Sequence, residues 1–193
     1  MRTVRVLVAA TLVVALAAGC GGGSSKTSAG DFVDATCVDL AAWATSIQKA
    51  FAELQDLGQF DTTDAASAQA LLRKLSAALG DADGATSKLA SGINSRGAPD
   101  IASGADIKKT LVDALNKLRD ILSSTRTEVD NFDVKTASTS DADKFKNDLD
   151  GLTPQIADAF AGLDPLDKNA DLKSAFDNSA TCKEAGSALS GSS

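Results

Sequence analysis

The chain has no histidine, no tyrosine, one tryptophan, three prolines and three cysteines in 193 residues. Without imidazole, Ser-His-Asp and Cys-His catalysis are excluded, and so is any metal site that uses histidine. Aromatic residues make up only 4%, so small and aliphatic side chains must fill whatever core forms. Few prolines favour long uninterrupted helices over a loop-rich β fold. Glutamate is also scarce. Of the 26 acids, only Glu53, Glu128 and Glu184 are Glu. Aspartate competes for nearby backbone groups and is the poorer helix former, so isolated helices of this chain are weak and packing must hold them.

Apolar residues make up 44% and charged residues 23%, which is enough to bury one core at this length. The apolar residues fall into helical periods. In helix 1, about Ala35 to Leu57, Leu40, Trp43, Ile47, Phe51 and Leu54 form a stripe, and Gly58 is a plausible end cap. Helix 2 starts near Thr62 or Thr63 and carries Leu71, Leu72, Leu75, Leu79, Leu89 and Ile93. Gly80, Gly84 and Gly92 weaken it; tight packing against a neighbour accounts for Gly80 and Gly84, or else the helix breaks locally. Helix 3 begins with Pro99 in its first turn. Leu111, Leu115, Leu118, Leu122, Thr125, Val129 and Phe132 then alternate by four and three, a heptad seam.

After a polar loop, Ser140 with Asp143 reads as a capping box for helix 4, which carries Phe145, Leu149, Leu152, Ile156, Phe160 and Leu163. Gly151, Thr153 and Pro154 interrupt it, and Asp164-Pro165-Leu166 is a second break. A last helix, about Ala170–Ala185, carries Leu172, Phe176 and Cys182. The expected fold is all-α: an antiparallel up-down four-helix bundle with the fourth helix kinked or broken. The final segment should continue the direction of helix 4, because Cys182 must finish near Cys37 at the start of helix 1.

At the N-terminus, Arg2 and Arg5 precede an apolar run from Val6 to Ala18, which is shorter than the ~20 residues a membrane-spanning helix needs. Small residues follow, in the pattern of a secretory signal peptide. The ending Leu16-Ala17-Ala18-Gly19-Cys20 resembles the lipobox of bacterial lipoproteins, with Ala17 where the pattern usually has Leu. That resemblance implies cleavage before Cys20 and a diacylglycerol on its sulfur. It places the chain at the cell membrane, lipid-anchored on the extracytoplasmic face. The expected organisation is a leader over 1–19, a Gly/Ser-rich tether over 20–34, a helical domain over 35–187 and a flexible tail over 188–193. The Ala/Asp/Gly/Val bias is similar to that of high-GC bacteria such as actinobacteria.

Once Cys20 is acylated, two cysteines remain in an oxidising compartment. A Cys37–Cys182 disulfide, joining the first and last helices, is the economical reading; free thiols or a redox pair are the alternative. Without Arg2 and Arg5, 17 cations face 26 acids, for a net charge of −9. That balance disfavours nucleic acid and electrostatic adhesion to anionic lipid. The membrane contact is therefore the lipid, and the expected partner is an envelope protein or a wall component.

Three features resemble sites without completing one. Asp81-Ala82-Asp83-Gly84 has Leu79 and Ala90 where a calcium loop needs acids. Asp167, Asn169 and Asp171 match three calcium-loop positions, but Leu172 and Asn178 break the rest, so Asn169 reads as a helix cap. Asp141, Asp143, Asp148 and Asp150 line the start of helix 4, where negative charge is favourable without any function. No metal, cofactor or catalytic residue is assigned, and the chain is read as a non-enzymatic binding module. The other reading is a carrier or sensor with an apolar cavity between helices. Trp43 is then either core or a pocket wall, and Phe32 and Phe60 either cover the bundle ends or form an exposed patch.

Overall fold

The computed structural model describes residues 26–56, 64–161 and 168–190. Among them the chain is all-helical, with one isolated bridge between Thr27 and Pro99. The helices are α1 (Ala29–Asp56), α2 (Ala65–Ser95), α3 (Gly104–Asn131), α4 (Thr139–Asp150), α5 (Leu152–Ala161), α6 (Ala170–Asn178) and α7 (Ala180–Ser190).

Helix α1 begins six residues before the expected Ala35. Ser28 sets the start. Its Oγ accepts from the Asp31 N–H at 3.1 Å and donates to the Asp31 carboxylate at 2.7 Å. That reciprocal pair satisfies donors a helix start otherwise leaves open. Residues 29–34, expected in the tether, are thus part of the domain. Phe32 is correspondingly 1% exposed, and it forms no surface patch. Phe60 lies outside the described residues.

Asp64 caps α2, accepting from the Ala66 and Ser67 N–H groups at 3.1 and 3.3 Å. Thr62 and Thr63, the expected caps, lie outside the described residues. The helix runs unbroken through all three glycines. A Cβ on Gly80 would lie 2.9 Å from Arg126, and one on Gly92 would lie 2.5 Å from Asp39. Close packing therefore explains these two. Gly84 has open space around it.

Pro99 does not start α3. It is buried in the turn before the helix, where Thr27 donates to the Ala98 carbonyl and Asp100 donates back to Thr27. The helix starts at Gly104, after Ser103 in the left-handed region at φ 59°. Only glycine fits there. A Cβ at 104 would stand 1.9 Å from the Pro99 carbonyl oxygen. The heptad seam is where the pattern put it. Leu115, Leu118, Leu122, Thr125 and Val129 are buried. Thr125 is tolerated among leucines because its hydroxyl donates to the Ile121 carbonyl at 2.9 Å.

The capping box of α4 is Ser138 with Asp141, two residues before the expected Ser140 and Asp143. Gly151 separates α4 from α5 with near-helical angles, φ −70° and ψ −9°. Its N–H still reaches the Asn147 carbonyl at 3.0 Å. The expected final helix over 170–185 is instead two helices. Ser179, at φ −72° and ψ 121°, ends α6. Its hydroxyl accepts from the Cys182 N–H at 3.0 Å and donates to Asp34 at 2.6 Å, which starts α7 in a new direction. The end of α7 at Ser190 also takes residues 188–190 out of the expected tail.

Cross-links give the directions. Asp39–Arg96, Trp43–Thr86 and Lys49–Asp81 make α1 and α2 antiparallel. Asp83 faces Arg119, and Gly80 faces Arg126, so α2 and α3 are antiparallel too. Asp34–Ser179 and Cys37–Cys182 advance together, so α7 runs beside α1 in the same sense. The last segment therefore does not simply continue an antiparallel fourth helix down to Cys37. Helix α5 packs on α3, and α6 packs on α1.

Two apolar clusters form the core. One gathers Leu72, Leu75, Leu79, Leu118, Leu122, Val129 and Phe145. The other gathers Phe32, Val33, Cys37, Leu89, Ile93, Ile107, Leu115 and Leu172. Trp43 packs against both.

Candidate functional site

Among the described residues, the concavity that best combines an aromatic wall with polar groups is a groove of about 530 Å³ between α1 and α2. Its chain-level cause is spacing. Gly80 and Gly84 sit one helical turn apart on α2, and Trp43 sits opposite on α1. Glycine leaves the α2 side of the groove without side-chain bulk: a Cβ on Gly84 would meet nothing within 4 Å, and one on Gly80 would meet only Arg126 of α3. Ala42 and Ala85 keep the walls low, and Leu89 adds an apolar surface.

Trp43 is fixed by its polar edge. Its indole Nε1 donates to the Thr86 hydroxyl at 2.9 Å. Thr86 in turn donates to the Ala82 carbonyl at 2.7 Å, so this buried hydroxyl is fully used. The indole is half-buried and lines the groove while packing on both core clusters. The two readings of Trp43 thus hold together: it is core on one side and wall on the other.

The rim is polar. Thr45 and Ser46 contribute hydroxyls. Lys49 pairs with Asp81 at 3.0 Å across the groove, and Asp39 pairs with Arg96 at 2.5 Å. Lys88 adds a further cation to the lining, so the groove combines an apolar floor with two ion-paired sites and an additional positive charge. Sequence reasoning singled out Trp43, the glycines and, as part of an incomplete calcium-loop pattern, Asp81, but missed Asp39 and Lys49. The only available signal for those two was their helical phase relative to Trp43.

Asp81 and Asp83 lie in the middle of α2, where they pair with Lys49 and Arg119, whereas Asp64 and Asp141 lie at helix starts, Asp148 and Asp150 at the end of α4, and Asp133 in the loop before it. Hydrogen bonds from Ser67 hold the Asp64 carboxyl below its usual range. Asp141 is lowered in the same way by Ser138, and Asp133 by the Lys135 N–H and the Thr136 hydroxyl. Asp148 holds the Lys144 ammonium above its usual range. Asn169 caps α6, accepting from the Leu172 N–H at 3.0 Å; Asp167 lies outside the described residues. No group of three or more Asp, Glu or Cys placed to hold a metal occurs among the described residues, and no described helix is long and apolar enough to cross a membrane.

The structure joins Cys37 to Cys182, with Cα atoms 5.0 Å apart. Cys20 lies outside the described residues. No protein-family model matches this chain, and no curated protein or solved structure is significantly similar to it.

Proposed function

We propose that this chain is an extracytoplasmic lipoprotein, anchored by a diacylglycerol on Cys20, whose helical domain is a non-enzymatic binding module of the cell envelope. One observation carries the reading. The chain has three cysteines, and two of them form a disulfide. The third is Cys20, directly after a leader with a lipobox-like ending. A disulfide fits an exported chain, because reducing compartments do not keep one. The domain is tied close to its anchor, since α1 starts nine residues after Cys20.

A second reading, a carrier or sensor of a small ligand, is favoured by the groove at Trp43. At about 530 Å³ it falls within the range of ordinary ligand pockets. As to architecture, we read α4 and α5 as halves of one rod broken at Gly151. This rod completes an up-down bundle with α1, α2 and α3. The near-helical angles at Gly151 and the seating of α5 on α3 support this.

Native mass spectrometry of protein extracted from its host membrane tests both readings. A diacyl mass on Cys20, lost in Cys20→Ser together with membrane retention, is the expected result. A full-length, unacylated chain that stays on the membrane overturns the anchoring. A co-isolated protein supports the binding module, whereas a small-molecule adduct that disappears in Trp43→Ala supports the carrier.

A further inference from the structure

The protein as a whole is acidic, yet one pocket runs against that charge. It lies at the α2–α3 turn, has a volume of about 550 Å³, and is lined by Arg96, Lys108 and Lys109 against a single acid, Asp113. Three cations around one small concavity stand out in a chain where acids outnumber bases by 26 to 19.

These cations are held in place, and Lys108 keeps donors to spare. The Arg96 side chain is only 21% exposed, and its Nη2 is fixed by Asp39 at 2.5 Å. Its Nη1 is buried and has no hydrogen-bond partner among the described residues. With Nη1 buried and Nη2 on Asp39, Arg96 supplies positive charge beside the pocket rather than a free donor in it. The Lys108 ammonium donates to the Arg96 carbonyl at 2.6 Å, which holds it over the turn with two further protons available. Ala105 brings the first turn of α3 to the same wall, where Ser103 makes no side-chain cap bond; the positive end of the helix dipole there is offset by Asp106 in the same turn, so the lysines carry the positive potential. Lys109 is partly neutralised by Asp113 one turn on.

We propose that this pocket binds a phosphate-type oxyanion, with Lys108 as the principal donor, Arg96 and Lys109 as supporting positive charge and Asp113 as the internal competitor. The position of the pocket indicates where such a group would come from. The N-terminal segment enters the domain at its edge: Thr27 donates to the carbonyl of Ala98, itself a pocket residue, and Lys26 pairs with Asp100. Five residues separate Cys20 from Lys26, so six Cα steps span at most about 20 Å. With Cys20 in a bilayer, the pocket lies within reach of lipid headgroups. A free phosphorylated solute offers the same chemistry. Binding itself does not depend on acylation, so it stands or falls separately from the anchoring.

The test uses the full-length chain carrying Cys20→Ser, so that no acyl group interferes. Inorganic phosphate is titrated by calorimetry at constant ionic strength. Saturable binding is expected, weakened about tenfold by Lys108→Gln, the usual weight of one charge-assisted hydrogen bond. Asp113→Asn should tighten it several-fold, a gain that misfolding cannot produce. Lys109→Gln, at an exposed position, checks the cation dependence if Lys108→Gln loses its fold. Flotation with phosphatidylcholine vesicles, with and without phosphatidylglycerol, then separates the sources. Flotation on anionic vesicles that phosphate reverses identifies a headgroup, whereas phosphate binding without flotation identifies a soluble ligand. Absence of saturable phosphate binding, or binding indifferent to both Lys108→Gln and Asp113→Asn, overturns the proposal.

Discussion

The two core clusters are built from similar side chains but held by different means. The cluster around Leu75, Leu118, Leu122 and Phe145 relies on apolar contact, with the Phe132 and Phe145 rings stacked at 4.4 Å where α3 leads into α4. It has no covalent link among the described residues, and the partly exposed Lys49–Asp81 and Asp83–Arg119 pairs lie beside it. The cluster around Phe32, Cys37, Ile93 and Leu172 is fastened from outside as well. The Cys37–Cys182 bond, the Ser179–Asp34 hydrogen bond, the Arg96–Asp39 pair and the Thr27–Pro99 bridge all lie around it. Helix length alone does not explain the difference: α6 and α7 have nine and eleven residues, but α4 and α5, with twelve and ten, dock without a covalent link. What sets α6 and α7 apart is that a single large buried side chain, Leu172, anchors α6 in the core, so the disulfide and the Ser179–Asp34 bond hold the rest of that segment on α1.

Breaking the disulfide is the strongest way to separate the two ends. Cys182→Ser should cost about 2–5 kcal/mol, since the closed loop spans 145 residues. Hydrogen exchange should accelerate first in α6 and α7, while α2 and α3 stay protected. Uniform acceleration throughout would make the two ends a single cooperative unit.

Next in size is Leu118→Ala, which truncates a side chain 1% exposed in the cluster without a covalent link. A loss of about 2–5 kcal/mol is expected in a denaturant melt. The same loss should appear whether or not the disulfide is reduced. Strong coupling between the two changes would show that the clusters share their stability.

A smaller contrast separates the glycines of α2. Gly84→Ala meets no atom within 4 Å and should stabilise by about 0.5–1 kcal/mol. Gly92→Ala would place a Cβ 2.5 Å from Asp39, so the Asp39–Arg96 pair must shift and the melting temperature should fall. If both variants gained stability, the fastening at Asp39 would carry no weight.

Acid should produce the smallest effect. Asp64 and Asp141 are exposed caps whose folded pKa lies below the ordinary 3.8. A depressed carboxyl pKa contributes stability that is full above the unfolded value and disappears as pH falls through the folded one. The starts of α2 and α4 should therefore fray as pH drops below 3.8, visible as a modest loss of helical ellipticity. Asp64→Asn and Asp141→Asn should flatten that pH dependence.

Periodicity made the long helices and the α3 seam legible, because a stripe repeating every three or four residues has only one compact use. The cysteine pairing was legible from the count, because the lipobox resemblance set Cys20 aside and left two. Boundaries were harder to read. Ser28 with Asp31 starts α1 inside what composition marked as tether, and Ser138 with Asp141 competes with an equally plausible pair two residues on. A cap is chosen by which residues the core then buries, and a local window does not contain that information. The groove was half legible: Trp43 and Gly84 stood out, but the charged residues beside them are common types whose placement depends on helix pairing.

The sequence by itself thus determined the helical class, the apolar faces and the cysteine pair, since these follow from local period and from counting. Only the tertiary structure decided that Pro99 buttresses Gly104 instead of opening a helix, that Ser179 turns the chain back along α1, and that three cations meet at one turn. Each of these depends on contact between segments distant in sequence, and such contacts are chosen by packing after the helices have formed.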